Sequence, residues 1–396
     1  NLDAKNILNV VQFNLIISLK LYMSNLVKQE LNKIMENAIS NFKSGNLDEA
    51  TILFKKIISL DKNSYQAIYN LGIIYSSKND YEKAINNFLK AFKLNKSEKY
   101  FTSIIDVYLI NNQIDKANEF INNNITDFKN EFKNTILEKL EYKKNQNHLI
   151  ELYNDISDSH ITKSIINKFE EYTKKYTNDQ LGWKLLGSVY LKKDYNDESI
   201  KSFQIAYKLN NQDIEVILAL GSLYREKKEY EKALVLYSIA KKTLPNNFDI
   251  HFNCGNTLLE QKKLIEASLE FEKAIEIYPE SYSANQNLAK TYKELNKINE
   301  SKNIYKKMIE LDIDNAIGYR GLGAIYILEG QLYKAEKLIL KSLEIEPENP
   351  DAYQNLSIAY FRMGRNNEGM KLMRENAGVI SFTMEKSRGN IQVLKG

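Results

Sequence analysis

A chain of 396 residues that is 43% hydrophobic and 27% charged can bury extensive packed surface, and with only four prolines it reads as mainly helical. Its net charge of +4 is far from the footprint of a dedicated nucleic-acid binder. Cys254 is the only cysteine, which excludes an intramolecular disulfide and a thiolate zinc cluster and is compatible with a reducing cytoplasm.

The sequence opens on NLDAKNILNVVQFNLIISLKLYMSN, without an initiator methionine. The apolar run from Ile7 to Tyr22 is broken by Asn9, Gln12, Asn14 and Lys20, is short for a membrane span, and lacks a small-residue cleavage site. The leading expectation is a start at Met23, with the residues before it either upstream read-through or an amphipathic lead-in; an anchor helix is the alternative. Residues 1–30 are therefore set apart as a lead-in.

From 31 to 125 three helix pairs follow one another. Ala38, Phe42, Gly45, Ala50 and Phe54 mark the first; Ile68, Leu71, Gly72, Tyr75, Ala84, Phe88 and Ala91 the second; Phe101, Ile104, Tyr108, Ala117 and Ile121 the third. Ile105 stands where the other pairs carry glycine, so these helices should cross less tightly. Between 126 and 179 the register is lost, although Phe128, Phe132, Ile136 and Leu140 keep helical spacing, as do Ile161, Ile165, Phe169 and Tyr172. At least one degenerate pair and one irregular element are expected there, together with a bend or partial break between a shorter and a longer arm.

Six further pairs run from 180 to 376. The stretch IEVILALGSLYREKKEYEKALVLYSIAKKTLPNN from Ile214 sets the pattern, and the pair starting at Phe248 repeats it at the same spacing. Ile217, Leu220, Gly221 and Tyr224 share one face of a first helix, and Ala233, Tyr237 and Ala240 one face of a second. Gly221 and Ala233 are small where the two helices must cross, and Pro245 closes the unit. The 180 pair has Trp183, Leu186, Gly187 and Tyr190; the 282 pair puts Met308 in the last small position; the last pair is atypical, with Gly369 and Asn376 where alanines are usual. The tail 377–396 reads as a hairpin of GVISFTM and IQVL against the last helix, as a frayed end, or as the start of another domain.

This combination of small, aliphatic and aromatic positions at a thirty-four-residue period resembles the tetratricopeptide repeat family. The resemblance implies an all-α, right-handed α-solenoid superhelix of stacked antiparallel helix pairs, whose grooves hold peptides or protein surfaces.

Chemistry is sparse. His148, His160 and His251 lack metal-ligand spacing, Gly318, Gly321 and Gly323 lie inside a predicted helix rather than a phosphate loop, and Cys254 reads as a small hydrophobe. His251 reads as a half-buried core residue. Nothing reads as a catalytic site, a cofactor site or a metal site.

The informative residues are those that packing does not explain. Asn70, Asn253, Asn287 and Asn355 recur one turn into the first helices more often than the abundance of asparagine predicts. The spacing resembles the asparagine ladder in the repeat arm of O-linked N-acetylglucosamine transferases, where amides clasp an extended peptide; an amide offers the acceptor and the two donors a peptide unit needs. Leu185, Ala219 and Gly321 break the ladder, so the stretch Asn253, Asn256, Asn287 and Lys290 is its densest part. Lys184, Arg225, Lys293, Arg320 and Arg362 lie on the same helices and could receive acidic groups, in a pattern that partly resembles the carboxylate clamp of chaperone-binding members. The expectation is a non-catalytic cytoplasmic scaffold holding a protein or peptide partner at Asn70, Asn253, Asn256, Asn287, Lys290, Arg320, Asn355 and Arg362, with no nucleic acid and with oligomeric state open. The recognition arm of a modifying enzyme, or a membrane-tethered assembly factor, are the alternatives.

Overall fold

The computed structural model describes residues 26–156, 161–375 and the dipeptides 382–383 and 392–393. The expectations for residues 1–22, for His160 and for most of the tail lie outside the described residues. The chain divides into two compact units, Asn1–Asp155 and Ile156–Gly396.

The first unit contains α1 (26–43), α2 (Leu47–Leu60), α3 (Tyr65–Ser77), α4 (Tyr81–Leu94), α5 (Glu98–Ile110) and α6 (Ile114–Asn124). A 3₁₀ turn at Ile125–Asp127 then leads into the long helix α7 (Asn130–Asp155). The second unit begins with α8 (Lys163–Lys175) and continues as pairs: α9 (Gln180–Leu191) and α10 (Asn196–Leu209), α11 (Ile214–Glu226) and α12 (Tyr230–Thr243), α13 (Phe248–Glu260) and α14 (Leu264–Ile277). The pairs α15 (Tyr282–Glu294) and α16 (Ile298–Leu311), α17 (Ala316–Leu328) and α18 (Leu332–Ile345), α19 (Pro350–Arg362) and α20 (Asn366–Glu375) complete it. In the tail, Phe382 and Thr383 pair antiparallel with Val393 and Gln392.

Local signals start and stop these helices at the repeat period. Asp179, Asp213, Asn247, Ser281, Asn315 and Asn349 stand thirty-four residues apart, and each side chain accepts a bond from a first-turn N–H of the helix that follows. Each cap is worth about 1 kcal/mol. Within each pair the turn passes through a left-handed residue: Gly45, Asn79 and Asn112 in the first unit, then Asp194, Lys228, Lys262, Asn296, Gly330 and Gly364 in the second. At Lys228 the next N–H, from Glu229, donates to Tyr224 O at 2.8 Å, which satisfies a carbonyl the helix end leaves open.

The glycines of the first helices make room for rings. A Cβ on Gly221 would lie 2.5 Å from the fully buried Tyr237 ring, and Gly72, Gly187 and Gly255 face Phe88, Phe203 and Phe271 in the same way. Close crossing is thus set by an aromatic of the second helix seated on bare backbone of the first. In the third pair Ile105 and Ile121, both fully buried, fill that space instead. Where the opposite small residue is serine, it reaches across: Ser199 Oγ donates to Gly187 O at 2.8 Å and Ser301 Oγ to Ala289 O at 2.7 Å.

The irregular region holds the 3₁₀ turn, α7 and α8. Phe169 and Tyr172 of α8 precede Phe203 and Ala206 by thirty-four residues, so α8 keeps the register of a second helix. Tyr172 is large where later repeats have small residues, and Gly182 of α9 compensates, since a Cβ there would lie 2.7 Å from the Tyr172 ring.

Candidate protein-binding face

In the second unit each first helix also packs on the next one, α11 on α13, α13 on α15, α15 on α17 and α17 on α19. The candidate residues lie on this face. Asn253 and Asn256 are on α13, Asn287 and Lys290 on α15, Arg320 on α17, and Asn355 and Arg362 on α19; Asn70 is on α3 of the first unit.

The structure brings two of them together. Asn287 Nδ2 donates to Asn256 Oδ1 at 2.8 Å across adjacent first helices, both side chains half-buried. Asn253 lies half-buried one turn before Asn256 on the same helix. Lys290 is exposed on the following turn of α15.

The cations are used unequally. Lys184 contacts Asp213 at 3.1 Å and Glu215 at 2.5 Å; burial opposes its charge, but these carboxylates hold its ammonium above the ordinary range. Arg362 Nη1 donates to Ile327 O at 2.9 Å, so its guanidinium serves the last turn of α17. Arg225 approaches Glu260 at 3.7 Å. Arg320 differs: its side chain is only 11% exposed, it approaches Glu346 at 3.5 Å, and its buried Nη1 has no hydrogen-bond acceptor. Gly321 beside it accommodates the ring of Tyr305, whose hydroxyl burial pushes up to about 12. The gap in the asparagine ladder at Gly321 therefore has a packing cause.

A second polar cluster joins α12, α13 and α14. Glu270 accepts from Lys241 Nζ at 2.6 Å and meets His251 Nδ1 at 2.7 Å, while His251 Nε2 donates to Pro245 O at 2.9 Å. Lys241 also lies 3.6 Å from Cys254 Sγ. Burial, reinforced by Glu270, pushes the Cys254 thiol up to about 11, so it is no nucleophile near neutrality. His251 is thus a bonded core residue rather than a passive one. Lys241 and Glu270 stand about one repeat apart, as do Gln261 and Glu231 at 3.0 Å and Lys78 and Asp48 at 2.6 Å. That spacing was available in the sequence as a signal for bridges between repeats.

Among the described residues, no group of three or more His, Cys, Asp or Glu side chains could hold a metal ion, and no helix is long and apolar enough to cross a membrane.

Family models for the tetratricopeptide repeat match residues 53–86, 221–262, 248–281, 270–303 and 338–371. The chain is a tetratricopeptide repeat protein. Its helix pairs are similar to those of a tetratricopeptide repeat protein from Parabacteroides merdae, at 20% identity over 59% of this chain and 93% of that one, with a TM-score of 0.50. A further similar structure is YrrB, described as a tetratricopeptide repeat protein with an unusual peptide-binding site, at 16% identity over 47% of this chain and 96% of that one, with a TM-score of 0.40. The likeness to the Parabacteroides merdae protein speaks for the fold. No curated protein matches the sequence. Tetratricopeptide repeats of this kind make an α-solenoid suited to protein interaction.

Proposed function

We propose that this tetratricopeptide repeat protein is a non-catalytic cytoplasmic scaffold that holds an extended segment of a partner protein on the first-helix face of its second unit. The observation that carries the reading is the amide pair Asn256–Asn287. The bond between them uses one donor and one acceptor, leaving an Nδ2–H on Asn287 and both Nδ2–H groups on Asn256 for a peptide backbone. Asn253 extends this polar strip along α13.

The test is affinity capture from source-cell lysate with the chain and with its Asn253→Ala, Asn256→Ala, Asn287→Ala variant, both checked for equal helicity by circular dichroism. A protein retained by the first and lost by the second supports the reading. Retention of the same proteins by both overturns it.

A further inference from the structure

An open cleft of about 560 Å³ lies within the second unit, where α8 meets the end of α9 and the start of α10. Four charged residues line it: Lys163 and Glu170 on α8, Lys193 just past α9, and Glu198 on α10. In other repeats the residue just past a first helix bridges to the residue thirty positions earlier, near the start of a second helix. Lys78 meets Asp48 at 2.6 Å, Lys227 meets Asp197, and Gln261 donates to Glu231 at 3.0 Å. Lys193 and Lys163 hold these same two positions, one repeat before Lys227 and Asp197. Two like charges stand where the bridge would form.

The other side of the cleft departs from the repeat in the opposite sense. One repeat on, Gln204 donates to the Tyr224 hydroxyl at 2.7 Å, and Lys232 lies 5.3 Å from the Tyr224 ring and pairs with Glu229. Here Glu170 takes the place of Gln204, Glu198 that of Lys232, and Tyr195 that of Glu229. Tyr190 donates to Glu170 at 2.6 Å, and burial, then Glu170 and Glu198, hold that hydroxyl above the ordinary tyrosine range. The Tyr190 hydroxyl thus marks an acidic end of the cleft, and Lys163 and Lys193 a basic one. Among the described residues the side chains of Lys163, Lys193 and Glu198 have no hydrogen-bond or ion-pair partner.

We propose that this cleft docks an extended segment of a partner protein, with an acidic side chain against Lys163 and Lys193 and a basic one against Glu170 and Glu198. Lys163 and Glu170 are separated by about 10 Å of helix rise. Side chains two apart on an extended segment share a face about 7 Å apart, and a lysine or arginine stem spans the remainder. An acidic residue and a basic residue with one residue between them therefore reach both ends. A segment with one sign of charge satisfies one end and leaves the other unpaired. Tyr195, 48% exposed and with its ring 6.3 Å from that of Tyr190, gives the segment an aromatic wall. The charges are solvent-accessible, so binding is weak and falls as salt rises. The site shares no residue with the first-helix amide face and does not rest on that reading.

The test follows backbone amide shifts of the full chain at low salt with two terminally blocked peptides, Gly-Glu-Ala-Arg-Gly and Gly-Arg-Ala-Glu-Gly, at millimolar concentration. At least one order moves the amides of residues 163–170 and 190–198 saturably, and replacing its Glu or its Arg by Ala weakens binding by about fivefold. Lys163→Asp rebuilds with Lys193 the bridge that Asp197 makes with Lys227. It abolishes binding, with unchanged circular dichroism and a thermal midpoint no lower than the parent's. The Asn253→Ala, Asn256→Ala, Asn287→Ala variant binds as the parent does. Absence of a saturable shift at these residues, equal binding of the Ala-substituted peptides, undiminished binding by Lys163→Asp, or loss in the triple-asparagine variant overturns the proposal.

Discussion

The two units of this tetratricopeptide repeat protein stack their helices by the same rule and both bridge successive repeats with polar bonds, to which the first unit adds a cluster of rings. In the first unit Phe101 is fully buried and gathers Phe92, Phe120, Phe128 and Phe132 around it at ring separations of 5.1–5.9 Å, across α4, α5, α6 and α7. In the second, hydrogen bonds recur between repeats: Tyr190 to Glu170 and Tyr292 to Glu272, both at 2.6 Å, and the Lys241–Glu270–His251 cluster. In the first unit a cavity of about 320 Å³ is lined by Ile73, Val107 and Ile110 together with Ser76, Ser77, Ser103 and Asp106. In the second unit the half-buried amides Asn256 and Asn287 lie on the first-helix face. The packing rule gives the fold, and the residues at the joints differ from repeat to repeat.

The contrast is tested most severely at Phe101. Phe101→Ala removes a ring that touches four others and should cost about 3–5 kcal/mol, independent of salt. The loss is read as a fall in urea midpoint, and a loss below about 1 kcal/mol would mean the ring cluster is not what joins these repeats.

Glu270→Ala is the counterpart in the second unit. It strips Lys241 and His251 of their shared acceptor, and because Lys241 is 29% exposed the expected cost is smaller, about 2 kcal/mol, and decreases in high salt. Cys254 reports on the same joint. Its thiol is raised by burial and by Glu270, so the folded state keeps its proton longer than the unfolded chain, and alkylation by iodoacetamide at pH 8 is slow until the pH approaches about 11. Between 9.0 and about 11 the unfolded chain binds fewer protons, so stability falls as pH rises. Removing Glu270 takes away one cause of the raised value and shifts the alkylation profile to lower pH.

The shared rule is tested by Gly221→Ala. The methyl would meet the Tyr237 ring at 2.5 Å, an overpacking cost of about 1–3 kcal/mol, against which alanine regains up to about 1 kcal/mol of helix propensity. The net expectation is a loss of about 1 kcal/mol, matched by Gly72→Ala in the first unit, where Phe88 lies at 2.6 Å. Unequal losses at these two positions would show that the units do not share one packing rule.

Much of this was legible in the sequence. The starts at 180, 214, 248 and 282 coincide with first helices because small, aliphatic and aromatic residues recur at fixed offsets, and those offsets are set by backbone geometry. The joints were less legible. Lys241, His251 and Glu270 sit on three helices, and each residue alone reads as solvated surface or core; only the Lys241–Glu270 separation, about one repeat, connects two of them, and His251 joins through the fold. Arg320 and Arg362 looked alike as cations of first helices, yet one meets a carbonyl and the other lies buried beside Tyr305, a difference that depends on Gly321 and on the end of α17.

The smallest expected effect concerns the turns. Lys228 holds φ 60, where a Cβ crowds the backbone at a cost of about 1–2 kcal/mol, while Gly330 and Gly364 occupy the same turn without that cost. Lys228→Gly relieves the strain but gives the unfolded chain more freedom, worth about 0.5–1 kcal/mol in the opposite direction. The balance is a gain of about 0.5 kcal/mol in urea midpoint. Asparagine tolerates this region through its short polar side chain, so Asn296→Gly, at φ 62, should gain less than Lys228→Gly or lose slightly. Equal gains at both positions would mean that turn strain is set by the tertiary stack rather than by the residue, and the order Lys228 above Asn296 would confirm that each of these turns contributes locally.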